Sequence, residues 1–533
     1  MRPLFTTAVL TFAVAAALGS PATLAQENRL PDIGSSARTL LGPAEQKQYG
    51  ELMLAQLRSY DYILEDPLID SWLRGLGNRL GAASDNPKQQ FTFFMMRDRQ
   101  VNAFATLGGY VGVNAGLVLV AESEGEVAGV LGHEIAHVTQ SHALRSVERA
   151  QRDQIPMLLA MVGAIALSQA GGSSSGSSSS TNGALAAISG IQGLAAQRQI
   201  NYTRSNESEA DRIGIRTMVR AHYDPADMAT MFGRMLALER SNRGGDKDQI
   251  PDYLRSHPVT TTRIAEAKER AAQMEAAAPE FTPTASTASN PLLPSSLQIT
   301  AASQYDDSTE FGWVRERLRV LSADTPAAAI NEYEHMRRSG ELDDAQRYGL
   351  AYARLLSNQG TAAMADLAPL VAKYPDDIHI VLTMAQAESR AGKHAAADAR
   401  FEALLSRMPR NRAVALTYAD VLAERNNPVA GKRAQELLRP MLLSASEDPL
   451  FQATFARVNE IAGDPIRAGE AYAQATYLNG RPEQALIQLN TLKKRDDLDY
   501  YARVRIDSRI AAITPVVLEL RRQGVEDPDL QPD

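Results

Sequence analysis

The sequence predicts a mainly α protein: an α+β domain with a small sheet, followed by an α-helical solenoid of repeated units. Three observations carry this. His133-Glu134-Ile135-Ala136-His137 lies on a stretch with helical spacing that opens at Ser123. Runs rich in aromatic and β-branched residues between Phe91 and Val113 read as short strands just ahead of it. Beyond about residue 306 the pattern is almost wholly helical, and marker residues recur every 34 positions.

Length and composition set the frame. A chain of 533 residues is long for one domain, and two or three are expected. Its 44% hydrophobic and 22% charged residues are ordinary for a globular protein. The net charge of -8, with no basic stripe interleaved with aromatics, argues against a nucleic-acid partner. There is no cysteine, which excludes disulfides and thiolate ligands, so any zinc must be held by histidines and carboxylates.

Residues 1–25 read as a signal peptide. Arg2 is the basic start, Leu4 to Leu18 the apolar stretch, and Thr23-Leu24-Ala25 a weak cleavage site before Gln26. The apolar run is shorter than the roughly 20 residues that span a bilayer, so cleavage is expected rather than anchoring. The mature protein is then exported, and a chain without disulfides fits a bacterial periplasm.

Asn28 to Pro43 is a polar lead-in. Ala44 to Ala83 has helical spacing, with Pro67 dividing two helices. Phe91 to Met95 reads as a strand, with a turn at Asp98. Asn102 to Ala105 and Gly108 to Val113 read as two further strands. A strand directly before the histidine helix can offer its edge to an extended peptide through main-chain hydrogen bonds; an ordinary hairpin is the alternative.

The next element carries the chemistry. Histidines at i and i+4 share a helix face, so His133 and His137 can present nitrogens to one metal ion. Glu134 is placed to take a proton from the water such a metal activates. Ser123 and Glu126 form a capping box at the start, and Val127, Val130 and Leu131 an apolar face. Gly129 and Gly132 are poor helix formers and imply close packing against a neighbour.

Ile155 to Leu167 and Ala184 to Ala196 are apolar arms around a Gly/Ser tip, a helical hairpin that reads as a mobile lid or a contact surface for membrane or unfolded protein. Asn206 to Gly214 follows. Glu207 and Asp211 are again i, i+4. Zinc peptidases use three protein ligands and keep one position open, so Glu207 is the expected third ligand. Asp211 is then expected to accept the spare N–H of a ligand histidine. Glu209, on another face, is the competing ligand.

Together H-E-I-A-H, E-S-E-A-D-R-I-G, N-A-F-A and G-G-Y-V-G-V resemble the H-E-x-x-H…E-x-x-x-D zinc metallopeptidases, which include the HtpX-type and CAAX-prenyl-type proteases. The motifs lie within about residues 30 to 270. The resemblance implies a gluzincin-like fold and one zinc per chain. It makes His133, His137 and Glu207 the ligands and Glu134 the general base. Many family members are membrane-embedded; L-P-D-I-G-S-S near the start and the helical C-terminal half are similar to a soluble periplasmic branch. In that branch the expected clients are misassembled outer-membrane proteins, and the expected partner is the β-barrel assembly machinery. Peripheral membrane contact is a further expectation. The branch also implies that His257, in Ser256-His257-Pro258, approaches the zinc, either blocking the water position or stabilising an oxyanion. His142, five residues past His137, and His222, in a turn, are read as non-ligands.

The Pro-, Ala- and Ser-rich stretch 276–305 is a linker between a metallopeptidase domain at 26–275 and a repeat domain at 306–525. In the latter Tyr374-Pro375 matches Met408-Pro409, and Leu382, Ala385, Gly392 and Leu404 match Leu416, Ala419, Asn426 and Leu438, all at the tetratricopeptide period. Asp448-Pro449 and Ala462-Gly463 fit with a few extra residues. Stacked units of this kind present a concave binding surface. The expected whole is an exported zinc metalloendopeptidase joined to a client-binding array; a chaperone or scaffold with a mostly latent metal site is the alternative.

Overall fold

The computed structural model describes residues 41–149, 201–242, 252–277 and 309–522. The signal peptide, the 155–196 hairpin and nearly all of the linker lie outside the described residues. Among those residues no helix is long and apolar enough to cross a membrane.

Helices α1 (Pro43–Ser59) and α2 (Pro67–Ala83) open the fold. Proline stands at the first turn of each, where its missing N–H costs nothing. Asp66 caps α2, accepting from the N–H groups of Leu68 and Ile69 at 3.1 Å each. Strands β1 (Thr92–Met96), β2 (Ala103–Thr106) and β3 (Tyr110–Asn114) follow. They form one sheet with β3 central, parallel to β1 and antiparallel to β2. The connection between α1 and α2 closes part of the far edge of β1, where Leu64 N–H donates to Met95 O at 2.8 Å.

All three strands are displaced by one or two residues from expectation. β1 starts at Thr92, and β3 starts at Tyr110 because Gly108 and Gly109 turn through positive φ, +78° and +83°. A Cβ on Gly109 would meet Gln90 O at 2.2 Å, so only glycine fits this turn.

Helix α3 (Ala115–Val120) leads to α4 (Glu124–Thr139), the histidine helix. Ser123 caps it, accepting from Glu126 N–H at 3.1 Å. The expected capping box is only half formed: the Glu126 carboxylate instead accepts from Glu122 N–H at 2.8 Å and pairs with Arg234. Nor is α4 amphipathic, since every residue from Glu124 to Ala136 is buried. It is the central helix of its layer, with β2 on one side and helices α6 (residues 201–220) and α7 (Ala226–Asn242) around it. The glycines permit this. A Cβ on Gly129 would lie 2.8 Å from Met228 Cα, and one on Gly132 3.2 Å from Gly214 O. Helix α5 (residues 142–149), α8 (Asp252–Ser256) and α9 (Thr261–Ala277) complete this part.

The C-terminal half is a helical array that opens with α10 (Thr309–Leu321) and α11 (Pro326–Ser339). Helices α12 (Asp344–Leu356), α14 (Ile378–Arg390) and α16 (Arg412–Glu424) start 34 residues apart, as do α13 (Gly360–Lys373), α15 (His394–Arg407) and α17 (Pro428–Leu438). Asn358, Gly392 and Asn426 sit at the matching turns with φ of +59°, +79° and +48°. Gly and Asn tolerate that conformation best, which is why these residue types mark the period. After α17 a 3₁₀ turn at Arg439–Met441 intervenes before α18 (Pro449–Ala462) and α19 (Pro465–Leu478). Helices α20 (Pro482–Lys493) and α21 (Tyr500–Arg522) end the array.

Helix α10 (Thr309–Leu321) belongs to both halves: Phe311, Val314 and Leu318 enter the first core, Trp313 and Val320 the array core. Buried Arg317 on α10 donates to both oxygens of Asp66, at 2.9 and 2.7 Å, and to Tyr348 Oη on α12 at 3.1 Å. The α2 cap thus also anchors the array. Further along, Arg412 on α16 bridges Asp448 and Asp70 of α2. Gly480 (φ +77°) sits so close to Ala55 O on α1 that a Cβ would be 2.1 Å away. The array therefore touches the first part at both ends.

Candidate metal centre

Three elements converge beneath β2. Helix α4 supplies His133, Glu134 and His137, α6 supplies Glu207, and the turn after α8 supplies His257. One donor atom from each of His133, His137, Glu207 and His257 lies within 4.8 Å of the others. His133 and His137 Nε2 are 2.9 Å apart, His257 Nδ1 is 3.3 Å from His133 Nε2, and Glu207 Oε1 is 3.0 Å from His257 Nδ1. His257 also stacks on buried Tyr253, with ring centroids 4.9 Å apart.

Hydrogen bonding fixes what these nitrogens offer. A carboxylate only accepts, so His133 Nδ1, 2.8 Å from Asp211 Oδ1, carries the proton. Once a second proton leaves the ring, its Nε2 presents a lone pair to the cluster. His142 Nε2, 3.2 Å from Glu209 Oε2, likewise donates, which leaves His142 Nδ1 an acceptor. His137 Nδ1, 2.9 Å from it, must donate, and His137 Nε2 also presents a lone pair. Two lone pairs thus face each other beside the Glu207 carboxylate. Freed of that second proton, the two Nε2 atoms and the Glu207 carboxylate suit a cation, and imidazoles with a carboxylate and no thiolate suit zinc. The residues present fit that metal.

The electrostatics agree. Burial works against a charged His133, but its bonds to Asp211 and Glu207 outweigh that and push it up to about 9: the site demands positive charge. His137 is held well below the usual imidazole value by burial and by its charged neighbour His133. Despite burial, hydrogen bonds from His133 and His257 keep Glu207 ionised. Glu134 is raised by burial, against the pull of His257 and His133 and a backbone hydrogen bond from Ala105 of β2. Its Oε1 is 3.7 Å from His257 Nε2 and has no hydrogen-bond partner among the described residues.

Two participants were not expected. Arg263 on α9 donates Nε and Nη2 to Asp211, both at 2.7 Å, and Nη1 lies 3.0 Å from Glu207 Oε2. An arginine 52 positions beyond its partner leaves no local signal. His142 lies outside the four-donor cluster but bonds directly to His137, a contact that counting five residues along a continuous helix does not give. Helix α4 ends at Thr139 with Gln140 as its C-cap, and Ser141 turns the chain at φ +55°. Glu209 does not face the cluster; it holds His142 and Arg145. His222 sits at φ +65° in the turn after α6, away from the donors.

Comparisons with known proteins point the same way. Residues 67–271 match peptidase family M48. The chain is 28% identical over 507 residues to a β-barrel assembly-enhancing protease of Yersinia pestis, covering 95% of this chain and 96% of that one. It is 40% identical to a putative β-barrel assembly-enhancing protease of Vibrio cholerae over 244 residues, about half of each chain (46% and 48%). The mitochondrial metalloendopeptidase OMA1 of Saccharomyces cerevisiae is 28% identical over 164 residues, 31% of this chain and 41% of that protein.

Proposed function

We propose that this chain, a metalloendopeptidase carrying an M48 domain at residues 67–271, works in the periplasm on unfolded or misassembled outer-membrane proteins. The names of the long-range relatives support the setting. The expected signal peptide at 1–25 supports export.

One observation carries the chemistry: the paired Nε2 atoms of His133 and His137 and the Glu207 carboxylate converge beside a buried Glu134 oxygen, directly under β2. His133, His137 and Glu207 would hold zinc. Bound there, it supplies Lewis acidity, polarising a carbonyl and making water more acidic. Glu134 takes the proton of the attacking water and delivers it to the leaving amine, a role that suits a carboxyl raised by burial. Edge strand β2 offers its main chain to an extended peptide, which would be bound without regard to sequence. Asp211 orients His133 through the Nδ1 hydrogen bond.

His257 fills the fourth place in the donor set. We assign it to the resting state, where it blocks the water position. The array would supply client selection. A cavity of about 1680 Å³ opens between α1, β1 and the last array helices, lined by Tyr49, Phe91, Phe93, Met441, Tyr477 and Val517 among others. That cavity and the His257 position also support the second reading, a client-binding chaperone whose metal site is mostly latent.

Zinc content and cleavage of an unfolded model protein test this, with wild type beside Glu134→Gln and His257→Ala. One zinc per chain, cleavage lowered at least 10²-fold in Glu134→Gln with zinc retained, and faster cleavage in His257→Ala are expected. Zinc without cleavage in wild type and His257→Ala alike favours the chaperone. Loss of zinc in Glu134→Gln makes Glu134 structural.

A further inference from the structure

The two histidines of α4 are anchored from opposite directions. His133 leans on Asp211, which Arg263 clamps. His137 meets Glu207 Oε1 at 3.4 Å on its Nε2 side, but no carboxylate backs its Nδ1 directly. Its Nδ1 meets His142 Nδ1 at 2.9 Å, with the rings nearly perpendicular at 80°. Behind His142 stands Glu209, 3.2 Å from its Nε2, and the same Glu209 oxygen takes Arg145 Nη1 at 3.2 Å. His142 is 3% exposed, and both its ring nitrogens are engaged.

The protons in this row run one way. Glu209 can only accept, so His142 donates to it and accepts from His137. His137 is left with a single tautomer and one ring orientation, Nε2 toward the cluster. The row exists only because the chain turns at Ser141; in a continuous helix residue 142 would point elsewhere.

Resting on His137 as a ligand, we propose that His142, backed by Glu209, is a positioning residue that fixes the tautomer and direction of His137 and so sets the affinity of the site for its metal. Partners behind a ligand histidine hold its ring and raise its basicity, and losing them costs about 10–100-fold in metal affinity.

The test measures zinc dissociation constants of the full chain by competition with a chromophoric chelator, and visible spectra of the Co²⁺-substituted protein. His142→Ala is expected to weaken zinc about 10–100-fold and to shift the cobalt bands. His142→Asn, whose side-chain oxygen can accept the His137 N–H, recovers most of the affinity. Glu209→Gln, which keeps an acceptor but loses the charge, falls between wild type and His142→Ala. Wild-type affinity and an unchanged cobalt spectrum in His142→Ala overturn the proposal. So does a loss in His142→Ala that His142→Asn fails to recover. If His142→Ala does not fold, Glu209→Gln decides: weakened zinc with shifted cobalt bands supports the relay, and wild-type values overturn it. His137→Ala is the reference. Undiminished zinc binding there removes His137 from the ligands, a failure distinct from any result at His142.

Discussion

Arg263 grips Asp211 through two parallel hydrogen bonds, Nε to Oδ2 and Nη2 to Oδ1, each 2.7 Å long and both buried. The same Asp211 oxygen, Oδ1, accepts from His133. One guanidinium therefore sets the carboxylate that sets the histidine, and its third nitrogen balances Glu207. Arg263→Met leaves two carboxylates buried without that charge. Breaking a buried pair from one side costs about 3–5 kcal/mol, so the metal-free protein should melt well below wild type. Zinc affinity should fall about 10–100-fold. Arg263→Lys keeps the charge but not the fork and should lie between. Chelator competition and thermal unfolding of the stripped protein measure both; wild-type zinc affinity in Arg263→Met would free Asp211 from its dependence on Arg263.

Metal binding should release a proton across the neutral range. His133 is pushed up to about 9: burial opposes the charge, and the bonds to Asp211 and Glu207 outweigh it. In the metal-free protein this raised group stabilises the fold fully below its unfolded value near 6.5, and the contribution fades as pH rises through 9. Zinc must displace that proton. Calorimetry at pH 7 in buffers of different ionisation enthalpy should find about one proton released per zinc. The apparent association constant should rise about tenfold per pH unit from 7 to 9 and flatten above. No proton release at pH 7 would place the His133 value below neutrality.

The packing of α4 makes a sharp contrast between two helical glycines. Gly129→Ala pushes a Cβ to 2.8 Å from the Met228 main chain, which cannot swing aside. It should cost about 1–3 kcal/mol and lower activity, because α7 must retreat from the histidine helix. Gly233→Ala on α7 meets nothing within 4 Å and should be neutral or stabilise by up to about 1 kcal/mol. Denaturant midpoints of the two variants read the difference. Equal stability would mean that α4 and α7 are not rigidly packed at Gly129.

The contact between array and first domain should respond to pH through Asp70. Burial pushes its carboxyl up to about 7; Arg412 pulls it back, while Asp66 and Glu65 push further. The folded chain thus keeps a proton that the unfolded chain releases near 3.8. Its contribution to stability falls as pH rises from about 4 to about 7 and is level above. Asp70→Asn removes that dependence. The variant should gain on wild type between pH 5 and pH 8 in urea midpoints. An offset that stays constant over this range would rule out Asp70 as the titrating group.

Several of these features are legible in the chain alone. His133 with His137, and Glu207 with Asp211, are spaced so that each pair shares a helix face, and a local helix needs nothing distant to make that true. The 34-residue period is equally local, since Gly392 and Asn426 mark turns that must pass through positive φ. Relations between elements left no such mark. Periodicity says which side of a helix a residue occupies, but not what lies opposite. Arg263 reaches Asp211 only because α9 packs across α6, and His142 reaches His137 only because Ser141 turns the chain. Glu209 and Glu207 are two residues apart on one helix. One faces His142 and the other the donor cluster, and that assignment came from the packing of α5, α6 and α9 around α4.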